Sequence, residues 1–286
     1  MAEQTSYDGT ARDYYDATGR EYDYITRAQD YRKWVPMYAG LIKEHSQVDG
    51  RLLDLGCGTG KSAIGFRELG FDVTGVDISE EMLRVAREKT ESTEVSFVAA
   101  DMRALPALGS FAVVTAMGEP FSNLADISEL QSTFASVANV LEPGGLVVFD
   151  MPTRGFHDRY VARNIVDAEE RRMVVWHNRY LPDDRNAVET TVEDFIKVDD
   201  ENWRRTSRRL VHRYFSPGEV SGQLELAGFE TVVTPGLYQG VLRHCSDQDL
   251  HRKSIVVARK AAPETAITID GENVHGQEEV IGHDAA

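Results

Sequence analysis

A short apolar strand near residue 50 leads directly into three glycines at alternate positions, and this bend constrains the fold more than any other feature of the chain. The run reads Leu52-Leu53-Asp54-Leu55-Gly56-Cys57-Gly58-Thr59-Gly60. Because glycine has no Cβ, a ligand can lie directly against the backbone here. The next apolar run ends at Asp77, whose carboxylate could accept hydrogen bonds from both hydroxyls of a ribose. Together the two features predict a nucleoside pocket at the carboxyl edge of a parallel sheet.

Three classes of nucleoside ligand compete for such a bend. The dinucleotide fingerprint places its third glycine three positions after the second, whereas here the spacing is two. Gly60-Lys61-Ser62 ends like a phosphate-binding loop, but the opening glycine of that loop would fall on Leu55. S-adenosylmethionine has no phosphates and needs only backbone space and a carboxylate, so the spacing favours it. The alternative, that Asp54 and the glycines merely form a tight turn, would not explain Asp77 or the later acidic strand end at Asp101.

Four segments in order resemble the class I S-adenosylmethionine-dependent methyltransferases, at residues 54–60, 76–79, 100–102 and 114–118. The resemblance covers about residues 8–260 and is specific for the cofactor but weak for the substrate. It implies an α/β fold with a Rossmann-like, doubly wound, mostly parallel seven-stranded sheet. An antiparallel β insert would be added to that sheet.

The resemblance also implies roles for individual residues. Gly56 and Gly58 would line the methionine part of the cofactor, and Asp77 would hold its ribose. Ile78 would pack on the adenine. The adenine amino group would donate to Asp101, and the backbone of Met102 would contact the ring. The full expected cofactor-binding set is Tyr22, Trp34, Asp54, Gly56, Cys57, Gly58, Asp77, Ile78, Asp101, Met102 and Met117.

Residues 10–45 have a helical pattern that is rich in tyrosine. The spacing of these rings is similar to that in the N-terminal lid of small-molecule N-methyltransferases of the glycine and amino-sugar types. On that interpretation Tyr22 and Trp34 contact the cofactor and Tyr15 contacts the substrate. The alternative is that the rings only pack two helices against a core.

Methyl transfer from a sulfonium is an in-line displacement, so the protein mainly has to align the reactants and exclude water. No fixed catalytic triad is expected, and the segment after the fourth strand, residues 117–124, carries the candidates. Glycine-type enzymes have an asparagine where Glu119 stands and a histidine where Asn123 stands. Glu119 would bind or deprotonate an amine or hydroxyl, and Asn123 would orient the substrate. The alternative for Glu119 is a solvated loop residue.

Other candidates lie farther along the chain. His157 follows the fifth strand and could reach the site as a third catalytic residue. Phe121, Tyr238 and Arg243 are expected to bind substrate, and Arg243 could pair with an anionic group. For each of these the plain alternative is a loop or packing residue.

Residues 51–150 alternate strand and helix patterns, which predict a parallel sheet with right-handed crossovers. From residue 171 period-two runs predict an insert of three or so antiparallel strands. The expected units are an N-terminal helical lid at 1–50, a cofactor-binding core at 51–167, a β insert over the substrate site at 168–216, the rest of the core at 217–261 and a disordered acidic tail at 262–286.

Composition limits the class of protein. The formal net charge of −16 over 286 residues argues against binding a nucleic-acid backbone. No apolar run has membrane-spanning length and the start lacks signal-peptide character, so a cytoplasmic location without membrane contact is expected. The two cysteines, Cys57 and Cys245, predict neither a disulfide framework nor a metal site.

These observations predict an enzyme that transfers a methyl group to nitrogen or oxygen of a small molecule, in specialised-metabolite biosynthesis of the antibiotic type. Nitrogen is slightly favoured, and the expectation allows for a homodimer. The alternative is a protein of the same fold that binds S-adenosylmethionine without methylating, either a sensor or an enzyme repurposed for another reaction. A dehydrogenase is the third class.

Overall fold

A nine-stranded, mostly parallel sheet forms the centre of the protein, and a separate four-stranded antiparallel sheet lies beside it. The computed structural model describes residues 10–46, 50–90 and 94–262. Its helices are α1 (Ala11–Ile25), α2 (Tyr31–His45), α3 (Lys61–Glu68), α4 (Glu80–Lys89), α5 (Ile127–Val140), α6 (Arg154–Val161) and α7 (Pro217–Leu226). Its strands are β1 (Arg51–Leu55), β2 (Asp72–Asp77), β3 (Ser96–Ala99), β4 (Phe111–Ala116), β5 (Leu141–Pro152), β6 (Ile165–Ala168), β7 (Arg172–Leu181), β8 (Asp184–Lys197), β9 (Trp203–Arg213), β10 (Phe229–Val233), β11 (Gly236–Tyr238), β12 (Val241–Arg243) and β13 (Lys253–Lys260).

The central sheet has the order β12-β11-β13-β5-β4-β1-β2-β3, with β10 also paired to β13. Strands β1 to β5 are parallel, and β13 is antiparallel to β5. Every residue of β4 is buried, as expected for a parallel strand that helices cover on both faces. Strands β2 and β3 lie on one side of β1, and β4 and β5 lie on the other, so the strand order reverses at β1. Ligands bind at such a switch point, beyond the carboxyl ends of the strands.

The expected α/β fold is confirmed, but the central sheet has nine strands instead of seven. The two added strands are the β11–β12 hairpin, and β10 pairs with β13 only from Val257 onward. The first residues of β13, Lys253 and Ser254, pair with β11 instead. Two strands therefore share one edge of β13.

The antiparallel insert has four strands in the order β6-β7-β8-β9 and begins at Ile165, three residues before the expected boundary. Helix α6, which the sequence did not predict, leads into it. The buried face of the insert, represented by Val174, Val192 and Leu210, packs on Tyr14 of α1. The insert and the first helix thus share one small apolar cluster.

Helix α1 is fastened to the central domain by polar contacts. The Ser79 hydroxyl at the start of α4 donates to Asp16 at 2.6 Å, and the Thr59 hydroxyl donates to Asp23 at 2.6 Å. Lys61 also pairs with Asp23 at 3.2 Å. These contacts hold α1 across the glycine bend, where the sequence placed a lid.

No helix in the described ranges is long and apolar enough to cross a membrane. The expected acidic tail lies almost entirely outside the described residues, as do residues 1–9 of the expected lid.

Phe121, a sequence candidate for substrate binding, lies instead in the core between the central sheet and α5. Replacing it tests that packing. Its side chain is fully buried, with ring centroids 5.5 Å from Phe134 and 5.0 Å from Phe149. We expect Phe121→Ala to lower the free energy of unfolding by about 3–5 kcal/mol, measured by denaturant titration, because it removes a ring from a closed cluster. Leu226→Ala, at an exposed position, is the control and should change it by less than about 0.5 kcal/mol. A small loss from Phe121→Ala would contradict the core assignment.

Candidate functional site

A cavity of about 480 Å³ lies between α1 and the carboxyl ends of β1, β2 and β4. Its volume is in the range of pockets that bind nucleoside-sized ligands. Both N-terminal helices, the glycine bend and the turn after β4 contribute to its wall. The lining residues that the sequence had singled out are Tyr15, Tyr22, Gly56, Cys57, Gly58, Asp77, Ile78, Asp101, Met102, Met117 and Asn123.

The glycine bend forms one wall of the cavity because its backbone adopts conformations that only glycine takes freely. Gly56, Gly58 and Gly60 have φ of 67°, 54° and 81°. A Cβ on Gly56 would stand 2.7 Å from Cβ of Pro120, so a side chain there would push away the turn after β4. A Cβ on Gly58 would approach the Tyr22 ring at 3.9 Å and project toward the cavity.

Asp77 lines the cavity at the end of β2 and fixes the glycine bend. Its two carboxylate oxygens accept from the backbone N–H of Gly58 at 2.8 Å and of Ser79 at 2.9 Å. Burial raises the pKa of this carboxyl group, while the two N–H donors oppose the rise. Each oxygen keeps a further lone pair for a ligand hydroxyl.

Asp54 differs from the sequence expectation, because it lies beneath the bend and does not line the cavity. It accepts from the hydroxyls of Ser62 at 2.5 Å and Thr115 at 2.9 Å. Complete burial raises its pKa to about 6. The carboxyl group therefore ties β1 to α3 and β4 and supports the bend from below.

Asp101 lines the cavity, but its carboxylate already has a partner. The Arg103 guanidinium donates to it at 2.6 Å and 3.0 Å and holds its pKa below the usual range. Arg103 also forms an ion pair with Glu129, another lining residue. An adenine amino group would have to share Asp101 with Arg103.

The aromatic wall consists of tyrosines from the two N-terminal helices, Tyr15, Tyr22 and Tyr31. Trp34, which the sequence placed against the cofactor, lies outside the cavity, and Nζ of Lys253 stands 4.7 Å from its ring centroid. Tyr31 precedes Trp34 on the same helix and their rings are 5.5 Å apart. The rotation of α2 thus brings Tyr31, and not Trp34, to the cavity.

Asn123 lines the cavity with its amide already engaged. Its oxygen accepts from the Tyr15 hydroxyl at 3.3 Å, and its nitrogen donates to the Pro120 carbonyl at 3.0 Å. Asn123 is therefore suited to fixing Tyr15 and the turn after β4.

Glu119 stands in that turn, with φ of 64°, a left-handed conformation that is uncommon for a residue with a side chain. Asp150 at the end of β5 accepts from the N–H of Glu119 at 2.6 Å and from that of Gly118 at 3.3 Å. The Glu119 carboxylate pairs with Nζ of Lys253 at 3.1 Å. Its neighbours in sequence, Gly118 and Pro120, line the cavity.

The charge of Glu119 reaches residues of four other elements. After burial, which is the main cause, it contributes to the raised pKa of Tyr22 and Tyr31. It acts in the same direction on Tyr160 of α6, whose pKa is also raised mainly by burial. Burial lowers the pKa of His212 on β9, and the charge of Glu119 opposes this. Glu119 therefore stands where the lid helices, α6 and the insert approach the end of β4.

His157, a candidate base from the sequence, lies away from the cavity. It is buried on α6, with ring centroids 5.8 Å from Tyr180 and 5.7 Å from Tyr214. Burial and the neighbouring Arg154 lower its pKa, so it packs against the insert as a neutral ring.

Tyr238 and Arg243 also lie elsewhere, on the β11–β12 hairpin. That hairpin is separated from β4 by β13 and β5. The Tyr238 ring packs on His251 at 5.8 Å, and Arg243 is exposed. The segment between β10 and β13 forms the edge of the sheet, away from the cavity. Tyr238 and Arg243 therefore do not lie at the substrate site that the sequence predicted for them.

Among the residues that sequence reasoning missed are Tyr31, which lines the cavity, and Asp150 and Lys253, which hold the turn after β4. Asp150 ends an apolar strand as Asp77 does, and that parallel was an available signal. Lys253 lies just before the apolar run at residues 255–258, which was a weaker signal.

A family profile described as a methyltransferase domain matches residues 52–145, which include the glycine bend, Asp77 and Asp101. Glycine N-methyltransferase of Rattus norvegicus is 32% identical over 144 residues, 45% of this chain and 47% of that protein. The dTDP-3-amino-3,4,6-trideoxy-alpha-D-glucopyranose N,N-dimethyltransferase of Streptomyces venezuelae is 31% identical over 151 residues, 52% of this chain and 62% of that protein.

Residues 52–145 of this chain are thus matched as a methyltransferase domain.

Solved structures have the same fold. An S-adenosylmethionine-dependent methyltransferase from Clostridium acetobutylicum superposes with a TM-score of 0.75 at 20% identity, covering 87% of this chain and 99% of that one. CalS10, an amino pentose methyltransferase from Micromonospora echinaspora, has a TM-score of 0.66 at 24% identity, covering 85% and 96%.

The cavity fits S-adenosylmethionine, the cofactor of the methyltransferases that the chain resembles. Asp77 offers a carboxylate to a ribose, and the apolar side chains of Ile78, Met82 and Met102 offer a surface for a ring. The glycine bend leaves space where a side chain would obstruct the ligand. Within the described ranges no group of three or more His, Cys, Asp or Glu could hold a metal ion.

The raised pKa of Asp54 makes the stability of the methyltransferase depend on pH. Because its value of about 6 in the folded state exceeds the ordinary 3.8, the proton is bound more tightly after folding. The resulting stabilisation is complete below about pH 4 and is lost as the pH rises through 6. We expect the wild type to lose up to about 3 kcal/mol of unfolding free energy relative to Asp54→Asn between pH 4 and pH 8. Urea titrations across this range measure the difference, and a constant difference would contradict the shift.

The hydrogen-bonded carboxylate of Asp77 is expected to dominate cofactor affinity. Asp77→Asn should weaken S-adenosylhomocysteine binding by about 10- to 100-fold in calorimetry, because hydrogen bonds to a charged group are lost. Asp72→Asn, at the exposed opposite end of the same strand, is the matched control and should leave binding unchanged. Equal binding by both variants would remove Asp77 from the site.

Proposed function

We propose that this methyltransferase methylates the nitrogen of a small-molecule amine. The observation that carries the proposal is the Glu119 carboxylate, 16% exposed, in the turn after β4 whose residues Gly118 and Pro120 line the cavity. A carboxylate near tyrosine rings favours a cationic ligand, since the faces of the rings attract ammonium groups as well. Tyr22 and Tyr31 supply these rings from the two N-terminal helices.

The proposed chemistry requires little beyond alignment, a dry site and one proton acceptor. When bound, S-adenosylmethionine supplies a methyl group that its positive sulfur already activates. Glu119 binds and orients the amine, and it is placed to accept the proton that the nitrogen gives up. Tyr15, held by Asn123, limits the position of the acceptor from the lid side.

The relatives support nitrogen as the acceptor atom, because the names of several describe N-methylation of amino sugars or glycine. CalS10 is described as acting in calicheamicin biosynthesis, and on that analogy we place this enzyme in the biosynthesis of a specialised metabolite. Oxygen of a small molecule is the second candidate, because Glu119 could equally accept a hydroxyl proton.

We also propose a division of labour among the parts of the chain. Helices α1 and α2 act as a lid, residues 51–167 and 217–261 bind the cofactor, and the insert covers the acceptor. The contact between the insert and Tyr14 of α1 supports this arrangement, since lid and roof meet over the strand ends.

An acceptor screen tests the proposal. The protein is incubated with methyl-labelled S-adenosylmethionine and paired small molecules that differ only in carrying an amine or a hydroxyl at one position. Transfer to the amines supports the proposal, and transfer to the hydroxyls alone would establish O-methylation. Tight cofactor binding without transfer to any acceptor would favour a binding protein that does not methylate.

Glu119→Gln removes the charge and retains the shape. We expect kcat/KM for the best amine to fall by about 10- to 100-fold, because a charged hydrogen bond to the acceptor is lost. S-adenosylhomocysteine affinity should stay within about twofold. Glu230→Gln, an exposed charge on β10, is the control and should leave both quantities unchanged. Full activity of Glu119→Gln would exclude Glu119 from acceptor binding.

A further inference from the structure

We infer that Lys253 is a positioning residue of the acceptor site, which fixes the Glu119 carboxylate by bridging it to Asp150. The consequence for catalysis rests on the proposed role of Glu119 in amine methylation. The bridge itself is a feature of this chain's geometry and can be tested separately.

Lys253 is held on three sides. Its Nζ donates to Asp150 at 2.8 Å, pairs with Glu119 at 3.1 Å and stands 4.7 Å from the ring centroid of Trp34. It is only 3% exposed and Asp150 only 2%. A lysine with three such contacts cannot swing away without leaving an unpaired buried charge.

The ammonium group of Lys253 stays charged in this environment. Burial by itself would lower the pKa of Lys253, but the nearby carboxylates of Asp150 and Glu119 outweigh burial, and the pKa is raised. Lys253 therefore keeps its positive charge across the neutral pH range.

Asp150 and Lys253 hold the same turn. Asp150 binds its backbone, and Lys253 binds the side chain of Glu119. Asp150 accepts from the N–H groups of Gly118 and Glu119, and Glu119 has a left-handed backbone. Such a conformation is unfavourable at a residue other than glycine and persists only where its surroundings enforce it. The direction of the Glu119 side chain is thus set from the backbone by Asp150 and from the carboxylate by Lys253.

The charges of this cluster leave one negative charge unmatched. Two carboxylates face one ammonium group, so the trio carries a net charge of −1 when all three are ionised. A cationic acceptor beside Glu119 would balance it. Lys253 therefore leaves the cluster able to bind a cationic acceptor, and it holds the Glu119 carboxylate in position for that acceptor.

The competing interpretation is that Lys253 only stabilises the pairing of β13 with β5, where it lies opposite Pro152. Both interpretations expect a loss of stability when Lys253 is changed. They differ in whether activity depends on Lys253 through Glu119.

Three variants separate the two interpretations. Lys253→Met removes the charge, and Lys253→Arg retains it. Lys260→Met lies on the same strand, where its Nζ donates to the carbonyls of Ala138 and Leu141, and it serves as a control for lost lysine contacts away from the site. Each variant is compared with the wild type for thermal stability and for S-adenosylhomocysteine affinity. The affinity should stay within about twofold of the wild type.

Crystal structures with S-adenosylhomocysteine give a readout that does not need an acceptor. We expect the Glu119 carboxylate to leave its position in Lys253→Met and to keep it in Lys260→Met. An unchanged turn at residues 118–120 in Lys253→Met would overturn the inference whether or not any amine is methylated.

Kinetics with the best amine of the screen give the second readout. We expect Lys253→Met to lower kcat/KM at least tenfold, Lys253→Arg to restore part of it, and Lys260→Met to leave it unchanged. In a Glu119→Gln background the Lys253→Met effect should largely disappear, because the two residues act through one carboxylate. Equal effects in both backgrounds would overturn the inference. Absence of amine turnover in the wild type would count against the proposed function, and the crystal structures would still decide the bridge.

Discussion

The hydrogen bond from the Gly58 N–H to the Asp77 carboxylate is the contact on which the cofactor cavity depends. It joins the bend after β1 to the end of the neighbouring strand β2, so the bend keeps one shape although it lacks side chains. Asp54 supports the same bend from below through Ser62 and Thr115. Flexibility of the glycines is thereby confined, and the backbone space they leave open is available to a ligand.

The same arrangement occurs a second time in the sheet. Asp150 ends β5 and accepts from the turn that follows the adjacent strand β4, just as Asp77 ends β2 and accepts from the turn that follows β1. A buried carboxylate is costly unless backbone or cationic donors satisfy it. Asp77 is satisfied by two N–H groups, and Asp150 by two N–H groups and Lys253. One carboxylate thus shapes the cofactor cavity and the other shapes the turn that carries Glu119.

The sequence predicted best what depends on short segments. The glycine bend, Asp77 and the strand–helix alternation are local patterns, and the cavity contains most of the residues expected from them. Trp34 was misplaced because Trp34 and Tyr31 lie on the same helix. The rotation of α2 about its axis decides which ring faces the cavity, and a helical sequence pattern does not fix that rotation. Lys253 could not be found, because its partners Asp150 and Glu119 lie about 100 and 130 positions earlier in the chain. Tyr238 lies off the site because the pairing of β11 with β13 is decided by sheet geometry and not by local pattern.

Helix α1 lies between the insert and the central domain, and its Tyr15 and Tyr22 line the cavity. Toward the insert, α1 buries Tyr14 in an apolar cluster with Val192 and Leu210. Toward the central domain it is fastened mainly by hydrogen bonds and ion pairs of Asp16 and Asp23. Water can replace polar contacts at a net cost of about 0.5–1.5 kcal/mol each, whereas exposing the apolar cluster has no such compensation. Helix α1 is therefore held by polar groups toward the central domain and largely by apolar packing toward the insert, and the position of Tyr15 and Tyr22 in the cavity wall depends on both sets of contacts.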